Sequence, residues 1–593
     1  MAALLHGSTG GGVQACTTIG VASGAAGGDA STLVAHSNDG EPPTDSRLVK
    51  VPPRDHAAGA VRPVYFTPED YPRFVGDRGV PEYLPVEHLN QTAFKAIGHI
   101  PEVAHTYGFL EETYGAQNEH QLGIAESTCS GIFGTKPAGH GGKAMLSVDS
   151  LSQIAMERAT RAREAVGIMG ALAEAHGFYG AGSFEGTAES LLVSDTDEVW
   201  VFHILPDDTG TSAIWAAQRV PDGHVAVVAN AFIIREVNVS DAANFMASES
   251  VFRVAAAKGW WDPDSGQLLD FTAVYSDGEY AHKYYSGRRM WGAYRLLAPS
   301  LALPPTYSEY IKGRPYPFSI KPDTPVTLAA VLRVLRDHYE GTEFDMTEGL
   351  AAGPFGTPNR YSPGVGPGAG EQAVHGNWER SISLFRTSDS YVAVARPGLG
   401  GLTWFGPGAA HGTAFVPLSP LMLRVPSPYA SGWFGEFDRA AAIWGAKYVS
   451  NLMDLKWSLM SKDVAAAQHA LEGLAGEAAV AAADAECAAA GPAASAGACF
   501  ERTLGRHAEY VAAAWWKLAD ILIFKFADGF VNDGVLTPPT GYPAWWLKAV
   551  AYADGPPPVP PGARGVSHTG ERALEPASSP RGGRRSGPGL SEA

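Results

Sequence analysis

Hydrophobic and polar positions alternate in short runs along much of the first 445 residues, a pattern typical of β-strands. Three pairs of runs are separated by three- or four-residue polar turns, and each pair predicts a β-hairpin. The paired runs are 189–194 with 198–205, 213–219 with 224–229, and 381–386 with 391–396. Parallel strands would need crossover connections of a dozen or more residues, so the short turns favour antiparallel sheets.

Helical spacing appears between the early strands. Ser147 and Asp149 are residue types that cap helix N-termini, and Ile168, Met169 and Leu172 follow at helical spacing. Gly177 then predicts the end of the helical block. Antiparallel strands together with paired helices predict an α+β fold in which sheets pack together and helices cover them.

The pattern changes after residue 445, and we predict a helical C-terminal region over 446–555. Residues 463–490 are rich in alanine, and 509–531 carry large apolar side chains at helical spacings. Cys487 and Cys499 flank a loop; they would form a disulfide in an oxidising compartment and stay thiols in the cytosol. Residues 556–593 are rich in Pro, Gly, Ser and Arg and predict a disordered tail.

Composition and charge exclude several classes of protein. The chain has 593 residues, of which 45% are hydrophobic, so it can bury a sizeable core. Its formal net charge is −18, from 44 basic and 62 acidic residues, which disfavours nucleic acid as a partner. No long uncharged apolar stretch predicts a membrane span. Four cysteines in the whole chain are too few for a disulfide scaffold.

Residues 1–15 form a small leader that ends just before Cys16. The leader has no basic segment and only a short apolar run at 2–5, so it is weak as a secretory signal. It is compatible with a secreted or vacuolar protein and with a cytoplasmic one. A disordered start to the chain is the simpler interpretation. Removal of the leader, however, would give Cys16 an unblocked α-amine.

Cys16 is the strongest candidate for a catalytic residue. An α-amino group titrates near pH 8, so part of it is neutral at pH 7 and can accept the thiol proton. One residue would then provide both the nucleophile and the base. The alternative is an ordinary buried cysteine at the start of a strand, since cysteine is among the residues most often buried.

Several motifs, in this order along the chain, resemble peptidase family C69, a family of dipeptidases within the N-terminal-nucleophile (Ntn) hydrolases. The resemblance covers roughly residues 16–450. It implies a four-layer αββα sandwich of two antiparallel sheets, and cleavage of amide bonds through a thioester on Cys16. The motifs are Cys-Thr-Thr at 16–18, Gly-Asp-Ala-Ser-Thr at 28–32, Ala-His-Ser-Asn-Asp-Gly at 35–40, Val-Pro-Pro-Arg-Asp-His at 51–56, and the segments 100–107, 118–128, 161–165 and 220–223.

The related bile-salt and penicillin V acylases imply roles for three further residues. Asp39 would hold the α-amine and tune its protonation, and Asn230 would donate a hydrogen bond to the oxyanion. Arg253 would lie near the centre of the site. The acylases carry an arginine at the position of His36, which puts in doubt a permanent positive charge beside the thiol.

We assign His36, Asn118 and Thr128 to the substrate-binding side of the site. Thr128 stands where the acylases have an asparagine, so the second oxyanion donor would be a backbone N–H or a hydroxyl. Asn118 is more simply a turn residue, because asparagine is favoured in turns. No spacing of His56, His105 or His120 supports a metal site.

The sequence therefore predicts a cysteine dipeptidase that acts on small peptides and needs neither a metal nor an organic cofactor. One alternative is an acylase of other linear amides, and another is a non-catalytic protein with the Ntn fold. Cys129 is a weaker candidate nucleophile, since the sequence identifies no histidine partner for it. Whether the chain forms a homo-oligomer stays open.

Overall fold

The computed structural model describes residues 16–40, 45–66, 80, 83, 94–180, 187–278, 285–305, 316–361, 378–432, 436–487 and 493–554. The predicted leader (1–15) and tail (556–593) lie outside these ranges. The chain divides into two compact units, residues 1–541 and 542–593. The second unit contributes one described α-helix. The predicted division of the first unit at residue 445, into a catalytic domain and a helical region, stays a prediction.

The described residues form the following strands, numbered in chain order: β1 (Thr17–Val21), β2 (Thr32–Asn38), β3 (Val49–Val51), β4 (Arg54–Asp55), β5 (Val61–Tyr65), β6 (Ala96–Pro101), β7 (His105–Thr106), β8 (Phe109–Glu111), β9 (Gly115–Asn118), β10 (Gly123–Cys129), β11 (Ala188–Ser194), β12 (Val199–Pro206), β13 (Ala213–Arg219), β14 (Val225–Val228), β15 (Glu236–Val237), β16 (Phe245–Ala247), β17 (Leu269–Asp270), β18 (Asp389–Ala395), β19 (Leu402–Pro407) and β20 (Val416–Leu418).

The α-helices in the same ranges are α1 (Val148–Arg158), α2 (Ala162–His176), α3 (Glu249–Ala257), α4 (Phe271–Tyr275), α5 (Ser286–Leu297), α6 (Leu328–Leu335), α7 (Ser427–Ala430), α8 (Ala442–Met453), α9 (Trp457–Gln468), α10 (Glu477–Cys487), α11 (Ala493–Lys525) and α12 (Ala544–Ala549). A π-helical segment, His469–Gly476, joins α9 to α10. The predicted helix signals are confirmed, because Ser147 caps α1 and Gly177, at φ 76°, ends α2.

Two large sheets organise the fold. A six-stranded sheet has the order β14-β1-β2-β18-β19-β20, and an eight-stranded sheet has the order β16-β13-β12-β11-β10-β9-β8-β3. Neighbouring strands in both sheets are antiparallel. The chain is therefore an α+β protein with antiparallel sheets, as the hydrophobic pattern predicts.

One of the three predicted hairpins is confirmed and two are wrong. Strands β11 and β12 pair as a hairpin around the turn at 195–198. Strands β13 and β14, in contrast, belong to different sheets. Val220 N donates to Val199 O beside the eight-stranded sheet, whereas Gly223 N donates to Ser23 O beside the six-stranded sheet, so this turn carries the chain between the sheets. Residues 381–386 form turns instead of a strand, and β18 pairs with β2 and β19.

The two large sheets pack against each other through their central strands. Strands β1 and β2 contact β10 and β11, and the apolar side chains between them form one continuous core. The sheets approach closely at Gly20 of β1, where a Cβ atom would lie 2.9 Å from the Val199 side chain. This arrangement is compatible with a sandwich and brings the start of β1 beside the end of β10.

Helices cover both large sheets. Helices α1 and α2 contact the eight-stranded sheet, where residues such as Leu151, Val166 and Trp200 form a second apolar core. Helices α5, α8 and α11 contact β14, β19 and β20 of the six-stranded sheet. Cys487 at the end of α10 forms a disulfide with Cys499 in α11, so of the two states that the sequence leaves open the structure has the paired one. Within the described ranges, no helix has the length and apolar character needed to cross a membrane.

Two glycines of α2 offer a matched test of how this helix packs. A Cβ atom on Gly170 would overlap the indole ring of Trp215, which a hydrogen bond of 2.8 Å to Glu174 Oε1 holds in place. A Cβ atom on Gly167 would meet its nearest neighbour, Met246 Cε, at an ordinary 3.7 Å.

We therefore expect Gly170→Ala to lower the free energy of unfolding by about 1–3 kcal/mol through overpacking. Gly167→Ala should raise it by up to about 1 kcal/mol, because alanine is the better helix former. Chemical denaturation of both variants beside the parent measures this. Equal effects of the two substitutions would contradict the packing described for α2.

Candidate active site

Cys16 lies immediately before β1 and is almost fully buried, with 1% of its surface exposed. Its backbone carbonyl accepts hydrogen bonds from Ser127 Oγ of β10 at 3.3 Å and from Arg289 Nη1 of α5 at 2.7 Å. The next residue, Thr17, donates its N–H to Ser37 Oγ of β2 at 3.2 Å. Groups from both sheets and a helix thus hold the backbone around the thiol.

Arg289 of α5 connects the start of β1 to the residues that follow β14. All five of its N–H donors have acceptors: Tyr285 O, Cys16 O, Thr17 Oγ1, Ala229 O and Asn230 Oδ1. Burial, together with the positive charge of Arg380, lowers the pKa of Arg289 to about 10, so the guanidinium is still charged at neutral pH. The guanidinium is therefore a cation that neutral oxygens hold beside Cys16.

Asn230 follows β14 in the left-handed region, at φ 53°, a conformation that asparagine adopts more readily than most residues. Its Oδ1 accepts from Arg289 Nη2 at 2.7 Å, and its Nδ2 donates to Thr128 O at 2.6 Å. The amide nitrogen carries a second N–H, which can donate a further hydrogen bond. The Thr128 hydroxyl donates to Glu126 Oε1 at 2.8 Å and is committed to that carboxylate.

His36 of β2 lies between two buried carboxylates. Its Nδ1 is 3.5 Å from Glu112 Oε1 and its Nε2 is 3.7 Å from Glu126 Oε2, and all three side chains are fully buried. Burial opposes protonation of the imidazole, but Glu112 and Glu126 outweigh it and raise the pKa of His36 to about 10. One ligand atom each from Cys16, His36 and Glu126 lie within 4.8 Å of one another.

Asp39 follows β2 and is also fully buried. Its carboxylate accepts hydrogen bonds from Arg380 Nη2, from the Thr387 hydroxyl and, at 3.3 Å, from Ser37 Oγ. Because Ser37 Oγ also accepts the N–H of Thr17, Asp39 is linked to the residue next to Cys16.

The side chain of Asn118 is occupied by the backbone around it. Its Nδ2 donates to Met156 O and Ala159 O at the end of α1, and its Oδ1 accepts from the N–H groups of His120 and Leu122. These contacts close the β9–β10 turn and favour the structural alternative for this residue over substrate binding.

Cys129 has a histidine nearby that the sequence does not reveal. Its Sγ lies 3.0 Å from Ser190 Oγ, which lies 2.7 Å from His203 Nδ1. Burial lowers the pKa of His203 to about 3, and its Nε2 accepts the N–H of Ile233 at 2.9 Å. An imidazole that is neutral, and whose basic nitrogen is already used, is unsuited to activating a thiol.

Comparison with known proteins adds to this geometry. A model of peptidase family C69 matches residues 15–470, which is more than half of the chain. The chain belongs to peptidase family C69. The resemblance seen in the sequence motifs is thereby confirmed, and family membership makes the protein a peptidase.

Three similar proteins carry the name of a dipeptidase. A probable dipeptidase of Salmonella dublin is 26% identical over 424 residues, which span 71% of this chain and 82% of the relative. A probable dipeptidase of Latilactobacillus sakei is 27% identical over 276 residues, spanning 46% of this chain and 50% of the relative. Probable dipeptidase B of Lactococcus lactis subsp. lactis strain IL1403 is 24% identical over 311 residues, spanning 50% and 56%.

The structure of this C69 peptidase brings together most, but not all, of the residues expected in the site. Arg253 lies on α3, where its charge acts on Tyr275. Among the contacts of the described residues, none joins Arg253 to Cys16, Asp39 or Asn230, and the arginine that contacts Cys16 and Asn230 is Arg289 on α5.

Sequence reasoning missed Arg289, Glu112, Glu126 and Arg380. Glu126 carries a signal, since it stands within β10, a strand whose residues are all buried. Arg289 lies in a helix of buried residues beside Arg288, which is a weaker signal because long side chains often reach solvent. Glu112 and Arg380 lie outside the regular elements, and their separation from Cys16 along the chain hides the contact.

Lys447 of α8 lies among the charged groups around Asp39, and its titration can be used to test their arrangement. Its Nζ donates to Thr387 O at 3.0 Å, and its charged neighbours are Asp389, Arg386 and Asp39. Burial lowers the pKa of Lys447 from 10.5 to about 8, with Asp389 and Asp39 opposing the shift and Arg386 adding to it.

Between about pH 8 and 10.5 the unfolded chain holds this proton and the folded chain does not, so the free energy of unfolding should rise with pH in that window. Lys447→Met should lack this rise. Chemical denaturation across the window compares the two proteins, with Lys517→Met, a change at an exposed residue, as the control. Parallel profiles for the parent and Lys447→Met would contradict the burial of this charge.

Proposed function

We propose that this C69 peptidase is a cysteine dipeptidase whose nucleophile is Cys16, made N-terminal by removal of residues 1–15. The observation that carries the proposal is the backbone of Cys16 itself. Hydrogen bonds from Ser127 and Arg289 hold its carbonyl, and His36 lies beside its thiol, although a structural cysteine at a strand start needs none of these contacts. Dipeptides are the proposed substrates because the relatives named above are probable dipeptidases.

The proposed fold is the four-layer αββα sandwich of the Ntn hydrolases. Support comes from the contacts of the two large sheets with each other and of different helices with each sheet. In such a sandwich the first strand is central, and here β1 lies between β14 and β2. Its N-terminal residue then faces groups from both sheets.

The reaction begins when the α-amine of Cys16 accepts the thiol proton. The thiolate attacks the scissile carbonyl carbon, and the carbonyl oxygen becomes an oxyanion. The remaining N–H of Asn230 and a backbone N–H donate to that oxygen, and Arg289 holds the Asn230 amide by its Oδ1. The C–N bond then breaks, the leaving amine takes the proton from the α-amine, and a thioester remains.

Hydrolysis of the thioester repeats these roles with water. The α-amine removes a proton from the attacking water, a second oxyanion forms, and the C–S bond breaks to release the carboxylic acid. The thiol is restored by the same proton. Asp39, held by Arg380 and Thr387, keeps the segment around Thr17 in place through Ser37. Two positive groups, Arg289 and protonated His36, favour the thiolate over the thiol.

The nucleophile is tested by substitution together with mass spectrometry of the intact purified protein. We expect the mature chain to begin at Cys16, and Cys16→Ala to abolish hydrolysis of dipeptides while Cys129→Ala retains most of it. Dipeptides and N-acyl amino acids should be compared as substrates, since a preference for the latter would favour an acylase. A fully active protein that still carries residues 1–15 would overturn the mechanism.

The role of Arg289 in catalysis is tested by substitution, with its neighbour Arg288 as the control. Arg289→Lys keeps the charge but cannot bind Cys16 O and Asn230 Oδ1 together, so kcat should fall by about 10²-fold, the usual loss when an oxyanion donor is misplaced. Arg288→Lys is the same substitution at the preceding residue, whose partners Glu379 and Pro305 O lie outside the proposed site, and should leave kcat within a factor of about two. Equal losses in both variants would show that Arg289 acts only in folding.

A further inference from the structure

The group formed by Cys16, His36 and Glu126 has properties that the peptidase mechanism does not require. It offers a thiol sulfur, an imidazole nitrogen and a carboxylate oxygen, all buried and within 4.8 Å of one another. His36 Nε2 and Glu126 Oε2 face each other at 3.7 Å, and among the described residues neither atom has a hydrogen-bond partner.

We propose that Cys16, His36 and Glu126 bind a divalent transition-metal ion, Zn²⁺ above all, and that this ion reversibly blocks the peptidase. Sulfur, imidazole nitrogen and carboxylate oxygen are the ligands that Zn²⁺ takes in proteins, at about 2.3, 2.0–2.1 and 2.0–2.2 Å. Two ligand atoms of a tetrahedral ion with such bonds lie roughly 3.4 Å apart. The observed separation of 3.7 Å needs only a small adjustment.

The residues around the group orient its ligands as the outer shell of a metal site does. Glu112 Oε1 lies 3.5 Å from His36 Nδ1, so a carboxylate faces the ring nitrogen opposite the proposed ligand Nε2. The Thr128 hydroxyl donates to Glu126 Oε1 and leaves Oε2 directed at His36. Such carboxylate–histidine partners fix the ring and strengthen its binding to a metal.

The two carboxylates at the imidazole also favour a cation between them. Glu112 and Glu126 flank the single imidazole of His36, and all three side chains are fully buried. Two buried carboxylates around one imidazole are costly to keep ionised together. A divalent ion between Nε2 and Oε2 would neutralise more of this charge than the single imidazole proton does.

Processing of the leader would complete the site. The α-amine of an N-terminal cysteine and its own thiolate can bind one ion as a five-membered chelate, which supplies a fourth ligand. Binding releases the thiol proton and the imidazole proton to solvent, since both ligands must be deprotonated. The sulfur bound to Zn²⁺ is then unable to attack a carbonyl carbon. The inhibition and the α-amine ligand rest on the proposed function, whereas metal binding by the three side chains does not.

Co²⁺ is the probe for the test, because a cobalt–thiolate bond gives an intense charge-transfer band in the near ultraviolet. We expect the purified mature protein to bind one Co²⁺ with this band and with visible bands of tetrahedral intensity. Zn²⁺ should displace the Co²⁺ and inhibit dipeptide hydrolysis over the same concentration range. A chelator should reverse this inhibition.

Variants separate the ligands from their surroundings. Cys16→Ser should abolish the charge-transfer band, and Glu112→Gln should weaken Zn²⁺ binding by about 10- to 100-fold by releasing the ring of His36. Cys129→Ser removes the other buried thiol outside the disulfide and should change Zn²⁺ affinity by less than about twofold. Near-ultraviolet circular dichroism checks that each variant is folded.

The outcomes distinguish this proposal from the proposed function. If Cys16→Ser binds Co²⁺ and Zn²⁺ as the parent does, or if the cobalt spectrum lacks the thiolate band, the metal site is wrong, whether or not Cys16 is the nucleophile. If the band appears and Zn²⁺ binds without inhibiting hydrolysis, the site exists and the nucleophile has been misassigned.

Discussion

The hydrogen bonds of one buried guanidinium hold the candidate site together. Arg289 donates from α5 to the start of β1 and to the residues that follow β14, and every donor it has is used. A buried charge without such partners would be strongly unfavourable, so the three segments are constrained to meet around it. Cys16 and Asn230 are therefore positioned by the same side chain.

The site lies where two sheets meet, and each sheet supplies part of it. The six-stranded sheet contributes Cys16, His36 and Asp39 from the beginning of β1 and the end of β2. The eight-stranded sheet contributes Glu126, Ser127 and Thr128 from β10. The sequence of the strands in either sheet therefore contains only some of the side chains of the site. The ion pairs of His36 with Glu112 and Glu126 come from packing one half on the other, and they restore the positive charge that the absence of an arginine at this position puts in doubt.

Local sequence patterns predicted helix ends and strands well, but they predicted poorly which strands pair. The Ser147 cap, the end of α2 at Gly177 and the β11–β12 hairpin depend on interactions over a few residues, and all three are as predicted. The turn between β13 and β14 looks the same in sequence as a hairpin turn. Its two ends bond to different sheets, and that choice depends on Val199 and Ser23, which are distant in the sequence.

Hydrophobic periodicity and contiguous motifs were enough to predict the α+β class, the family and the position of Cys16 before a first strand, because each of these signals lies within a short stretch of the chain. The fold was needed to show that Arg289 contacts Cys16 and Asn230, that Asn118 binds the backbone, and that Glu112 and Glu126 lie on either side of His36. It also joined Cys487 to Cys499. The physical reason is distance along the chain. Hydrogen bonds and charges act over a few ångströms in space, and the residues that share them here are separated by up to 348 positions.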